Sequence, residues 1–223
     1  MQIKRKKSIR EQVYEYLKEE IVNGKIEEES RIVEEEYALK LNVSRTPLRE
    51  AIRMLELEGL IEGREKGGVI VPKTTKKDVE EVIKIRMALE TVIFQEIFEK
   101  VTEHDIKKLE KNIDKTKLII ENEKESSNVF KYFSEFNRIL YHIADSPRVV
   151  NLINNLNLYL KKFRKISIEN SNRRLNAHKD HVNMVEFIKK DRKKEIIDLN
   201  KKHLLEAKEF LIQQLEIREN KSY

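Results

Sequence analysis

The sequence predicts a mainly α-helical protein in two parts. A small mixed unit covers residues 1–74, a linker 75–78, and an all-helical bundle 79–223. Three observations carry this. Glycine and proline are confined to the first 72 residues except for Pro147, so the remaining chain has almost nothing to interrupt helices. Apolar residues recur at helical spacing through most of the chain. One short stretch, "LIEGREKGGVIVP" at 60–72, reads instead as two strands around a glycine-containing turn, a β-hairpin.

Within the first unit, "SIREQVYEYLKEEIVN" places Ile9, Val13, Tyr16, Leu17 and Ile21 on one helical face, with Gly24 as a stop. "SRIVEEEYALKLN" gives a short second helix through Val33, Tyr37, Ala38 and Leu41. Asn42 ends it, because asparagine tolerates the left-handed conformation at a helix C-terminus. "VSRT" is a tight turn and Pro47 starts a third helix, where a missing N–H costs nothing. Leu48, Ala51, Ile52 and Leu55 form its apolar stripe, and Gly59 closes it.

Beyond the linker, about six helices are predicted, near 78–100, 103–122, 128–144, 147–168, 171–190 and 192–218. Thr102 and Asp105 form a capping-box pattern between the first two. "ENEKESS" and "DSP" supply the next breaks, and the run "KKFRK" at 161–165 reads as a solvated helix face. The bundle is large enough to own a core.

Composition excludes several classes. No apolar run approaches the roughly 18 residues of a membrane span. The basic N-terminus has no apolar segment behind it, so no secretory signal is expected. With no cysteine there is neither a disulfide framework nor a thiolate metal site. A cytoplasmic protein without a membrane partner is the expectation. The formal charge of +6 does not by itself indicate a nucleic-acid partner, since residues 1–74 carry 15 basic and 15 acidic side chains. DNA binding by this unit would rest on where its arginines stand.

Their placement is informative. Two short helices joined by a tight turn and followed by a hairpin describe a winged helix-turn-helix, whose second helix enters the DNA major groove by its N-terminal end. The apolar stripe anchors that helix and leaves Arg45 and Arg49 at its exposed start, where a guanidinium pairs with guanine O6 and N7. The hydroxyls of Ser44 and Thr46, with free first-turn N–H groups, suit phosphate oxygens. Arg64 and Lys66 add charge on the wing.

"VSRTPLREAIRMLELEGLI" resembles the helix-turn-helix signature of the GntR family of bacterial transcription regulators. The likeness runs upstream through "YLKEEIVNGKI" and "RIVEEEYALKLN" and downstream to "GGVIVPK". It implies DNA contacts at Arg31, Ser44, Arg45, Thr46, Arg49 and Gly68. The family's usual Pro-Gly turn before Arg31 is replaced here by "EEES".

The helical half resembles the FCD ligand-binding domain of the FadR subfamily. "IKIRMALETVI" places Arg86 and Glu90 at family positions, and "DHVNMVEFIKKDRKKEIIDLNKKHL" brings His181, Asp191 and His203 into register. The resemblance implies a divalent metal such as zinc, held by an Asp and three His and helping to bind a carboxylate effector. Two of those four ligands are replaced, by Phe133 at the Asp position and Asn137 at the first His position. Phenylalanine cannot ligate a metal, so the implied site is weakened or lost. Glu135 and His142 are out of helical phase with the lost pair. His104, His142 and His178 are expected at the surface or its boundary. Arg86, Asn137, His181 and His203 are the candidate effector residues, and His181 and His203 the remaining metal candidates. For the two histidines three roles stay open: polar core residues, an altered metal site, or effector contacts. Arg86 would neutralise an effector anion or pair with Glu90 one turn on.

The expected function is a homodimeric regulator, a repressor in most such proteins, that binds an inverted-repeat operator in double-stranded DNA and responds to a small effector. Two alternatives remain: a helical domain that only dimerises, and a metal-dependent enzyme, against which the missing ligands argue.

Overall fold

The computed structural model describes residues 7–64, 67–122, 126–160, 167 and 169–220. It divides into two compact units, Met1–Thr74 and Thr75–Tyr223.

The first unit contains α1 (Ile9–Val22), β1 (Arg31–Ile32), α2 (Glu34–Leu41), α3 (Arg45–Leu57), β2 (Glu62–Gly63) and β3 (Val69–Ile70). Ser8 and Glu11 close a capping box at the start of α1, which buries Val13, Leu17, Ile21 and Val22. Ile9, expected on that face, is exposed at the helix end. Asn42 ends α2 at φ 51°, ψ 50°, the left-handed cap foreseen for it. All four stripe residues of α3 are buried. The helix begins two residues earlier than predicted, so Pro47 stands at its third position. The absent N–H remains harmless there, because it is still a first-turn donor.

The hairpin is part of a three-stranded antiparallel sheet in the order β1-β3-β2. Arg31 and Ile32 pair with Ile70 and Val69, and Glu62 and Gly63 pair with the same two residues from the other side. β1 was not predicted, since two residues are too short for any alternation to register. Its Ile32 is fully buried.

The second unit is helical. It comprises α4 (Lys76–Lys100), α5 (Glu103–Glu121), α6 (Ser126–Ala144), α7 (Pro147–Tyr159), α8 (Ser171–Lys189) and α9 (Lys193–Asn220). Residues 75–78, expected as a linker, are the cap and first turn of α4, with Thr75 and Asp78 bonded as a capping box. Thr102 and Asp105 do the same for α5, as their spacing predicts. α7 ends at Tyr159 with Leu160 as its cap. The rest of that expected helix, with the "KKFRK" run, lies outside the described residues apart from Ser167. The main core gathers Ile93, Phe94 and Ile97 of α4 with Leu109, Phe136, Leu140, Ile153, Met184 and Ile196. A smaller cluster joins Val129 and Phe133 to Ala177. Among the described residues no helix is long and apolar enough to cross a membrane.

Candidate functional site

At the start of α3 the sequence makes its own opening. Ser44 is the N-cap, extended at φ −72°, ψ 161°, yet its side chain makes no capping bond. A capping serine accepts from the N–H two or three residues on, and the third is Pro47, which has none. Ser44, Arg45, Thr46 and Arg49 are all exposed. Buried Leu48, Ala51, Ile52 and Leu55 anchor the helix on the unit. The structure thus brings these four predicted contact residues onto one solvent-facing helix end.

Both arginines have acidic partners that sequence reasoning missed. Arg45 Nη2 lies 2.6 Å from Glu35 Oε1. Arg49 donates through Nη2 to Glu34 Oε2 at 3.0 Å and through Nε to both Glu34 oxygens at 3.3 Å. The glutamates belong to the acidic first turn of α2, where carboxylates also suit the helix dipole.

On the wing, Arg31 and Gly68 meet each other. Arg31 Nη2 donates to the carbonyl oxygen of Gly67 at 3.0 Å, and the Arg64 N–H donates to that of Gly68 at 3.0 Å. Gly68 has φ 82°, and a Cβ there would stand 2.8 Å from Arg31 Nε. The backbone therefore favours glycine there, and an added Cβ would displace the Arg31 side chain that lies across it. Lys66 lies outside the described residues.

In the helical unit, Arg86, Asn137, His181 and His203 line one cavity of about 80 Å³, together with Glu90, Phe133, Tyr141, Arg173 and Asn200. Arg86 is buried and donates to Glu90 Oε1 through Nη2 at 2.6 Å and Nε at 3.1 Å. Asn200 Nδ2 donates to the other Glu90 oxygen at 3.0 Å. Burial pushes the Glu90 carboxyl up, but the adjacent guanidinium and the Asn200 amide outweigh it and hold the group below the ordinary carboxylate range. The charge of Arg86 is therefore already matched within its own helix. Arg173 donates through Nη1 to Glu206 at 2.9 Å, while its buried Nε has no partner among the described residues. Asn200 lies three residues before His203, on one face of α9, a signal the sequence did offer.

The donor set does not fit a divalent metal. His181 stacks on Phe136 with ring centroids 4.1 Å apart and meets the edge of Phe133 at 4.9 Å. His203 Nδ1 is 2.8 Å from Asp180 Oδ2, and the two imidazole centroids are 5.6 Å apart. Asp191, expected in register with the histidines, sits at φ 51° in the turn between α8 and α9 and is not part of the cavity wall. Among the described residues no group of three or more His, Asp or Glu is placed to hold a metal ion. Where a carboxylate would complete such a group, Phe133 presents hydrocarbon.

Comparison with known proteins agrees with both halves. Residues 9–71 match the family described as bacterial regulatory proteins, gntR family, and residues 81–206 match the FCD domain. The chain is 30% identical over 161 residues to the HTH-type transcriptional repressor RspR of Escherichia coli (strain K12), covering 72% of this chain and 70% of that protein. It is 29% identical over 194 residues to the uncharacterized HTH-type transcriptional regulator YdhC of Bacillus subtilis (strain 168), covering 87% and 85%. It is also 29% identical over 152 residues to the gluconate operon transcriptional repressor of the same organism, covering 68% and 62%. Among solved structures, McbR/YncC of E. coli shares the fold with a TM-score of 0.75 at 20% identity, covering 94% of this chain and all of that one.

Proposed function

This chain belongs to the gntR family of bacterial regulatory proteins and is a DNA-binding transcriptional regulator, not an enzyme; from that premise we propose that it is a cytoplasmic repressor binding an inverted-repeat operator as a homodimer. The exposed start of α3 carries this reading. Ser44, Arg45, Thr46 and Arg49 stand together on the one end of the helix that a major groove admits. Arg45 and Arg49 read bases, the two hydroxyls with the first-turn N–H groups hold phosphate, and the Arg31–Gly68 wing follows the adjacent backbone. The RspR and gluconate operon relatives are named as repressors, which supports that direction of control. Ile85 and Val92, seven residues apart on α4, are 47% and 38% exposed and offer an apolar stripe for a second copy.

The cavity around Arg86, Asn137, His181 and His203 is the proposed effector site, and it works without a divalent metal. Its control of DNA binding is linkage: a ligand that prefers one dimer geometry shifts operator affinity by its differential binding energy. A second reading, in which the helical unit only dimerises, is favoured by the small cavity and its internally matched charges. Selection from a random-sequence duplex pool tests the DNA reading, and an inverted repeat bound two chains at a time is the expected result. Recovery of no common sequence would overturn it. Thermal shift against small organic acids, sugars and acyl compounds, with and without metal, separates the two roles of the cavity, since only a sensor gains stability with its ligand.

A further inference from the structure

We propose that Glu34 and Glu35 are positioning residues for DNA recognition, set so that Arg45 and Arg49 respond to bases rather than to any phosphate that comes near. The inference rests on the reading that these arginines contact DNA. Its geometry lies in how each guanidinium is held. An arginine has five N–H donors, on a side edge formed by Nε and Nη2 and an end edge formed by Nη1 and Nη2. Glu34 takes the side edge of Arg49, at 3.3 Å from Nε and 3.0 Å from Nη2. The end edge stays available, and its two N–H groups can pair with guanine O6 and N7 while Glu34 remains in place. Glu35 holds Arg45 through Nη2 alone, at 2.6 Å.

Charge sets the consequence. A phosphate approaching either arginine meets a carboxylate already there, so Arg–phosphate attraction is offset by the lost ion pair and by repulsion of the glutamate. A guanine edge carries no net charge and is bound with the carboxylate still in place. The neutral balance of the first unit fits this design: its DNA-reading surface is not a basic patch but two arginines, each with an acidic partner. Helix-dipole stabilisation alone does not account for the arrangement. Glu36 shares the same first turn, and no ion pair among the described residues joins it to either arginine. It is the internal control.

The test uses the full-length protein, a random-sequence duplex and the operator recovered by selection, with affinities measured across a salt series. Glu34→Gln with Glu35→Gln should raise affinity for random duplex roughly tenfold at low salt. It should also steepen the slope of log affinity against log salt by about 1 to 2, one released counterion for each freed arginine. Operator affinity should rise less, so the ratio of the two falls. Glu36→Gln should leave the slope unchanged, and circular dichroism checks that each variant is folded. Adding the two glutamine substitutions to a protein already carrying Arg45→Ala and Arg49→Ala should change nothing. An equal gain in that background, or an equal gain from Glu36→Gln, would mean that the glutamates act only as bulk charge and would overturn the proposal. Retained operator binding by the arginine double variant would instead defeat the reading of α3 itself, and the inference with it.

Discussion

Arg86–Glu90 within α4 and Arg49–Glu34 between α3 and α2 join the same two side-chain types at 2.6 and 3.0 Å, in opposite surroundings. The first pair has side chains 8% and 7% exposed; the second, 68% and 34%. Burial makes the first pair part of the wall it lines. Its charges were taken from water and are met by each other, with Asn200 and Tyr141 donating to the carboxylate. Exposure leaves the second pair within reach of DNA, because neither charge has been taken out of water and the arginine can bind a base with its glutamate still beside it. The same contact is architecture in one unit and a recognition element in the other.

The largest test of that contrast is Glu90→Gln. Removing the carboxylate charge strands a buried guanidinium, which costs about 3–5 kcal/mol and lowers the thermal midpoint by about 10 °C or more. Glu34→Gln, its exposed counterpart, should leave the midpoint unchanged within error. The pair also has a pH signature. The folded-state pKa of Glu90 is depressed, so its stabilisation is complete above the unfolded value of about 4.5 and is lost as pH falls through the lower folded value. Acid melts of the native chain should therefore steepen below that pH, and Glu90→Gln should flatten them.

Gly68→Ala is intermediate, and it shows that an exposed position is not always a tolerant one. A φ of 82° should cost an alanine about 1–3 kcal/mol of stability in the first unit, and its Cβ would displace Arg31. Chemical denaturation checks this, and loss of DNA affinity should accompany it, because the wing and Arg31 move together.

The fold was largely legible because local chemistry decides it. Asn42 in a left-handed cap, the capping box at Thr102 and the α3 stripe are each set by residues one helical turn apart, whereas the capping box at Thr75 lies in a stretch whose sequence reads as a linker. β1 escaped because a two-residue strand exists only through its pairing with β3. The start of α3 was missed by two residues because proline is acceptable anywhere in a first turn. The contact residues of α3 were legible for a local reason too: the tight turn and the apolar stripe mark where the helix starts, and Arg45 and Arg49 stand in its first turns. Their partners were not. Glu34 and Glu35 reach α3 from another helix, Asp180 reaches His203 between α8 and α9, and Asn200 reaches Glu90 across 110 residues of sequence. Spacing identifies a residue's face and says nothing of what another element brings to it.

The measurement that tests the central claim most directly is the binding of Arg49→Ala to the selected operator and to a scrambled duplex of equal length, at one salt concentration. The account predicts roughly a tenfold or greater loss on the operator, with relaxed preference at one base position in each half-site, and a much smaller change on the scrambled duplex. Equal weakening on both would make Arg49 a phosphate contact and contradict the account.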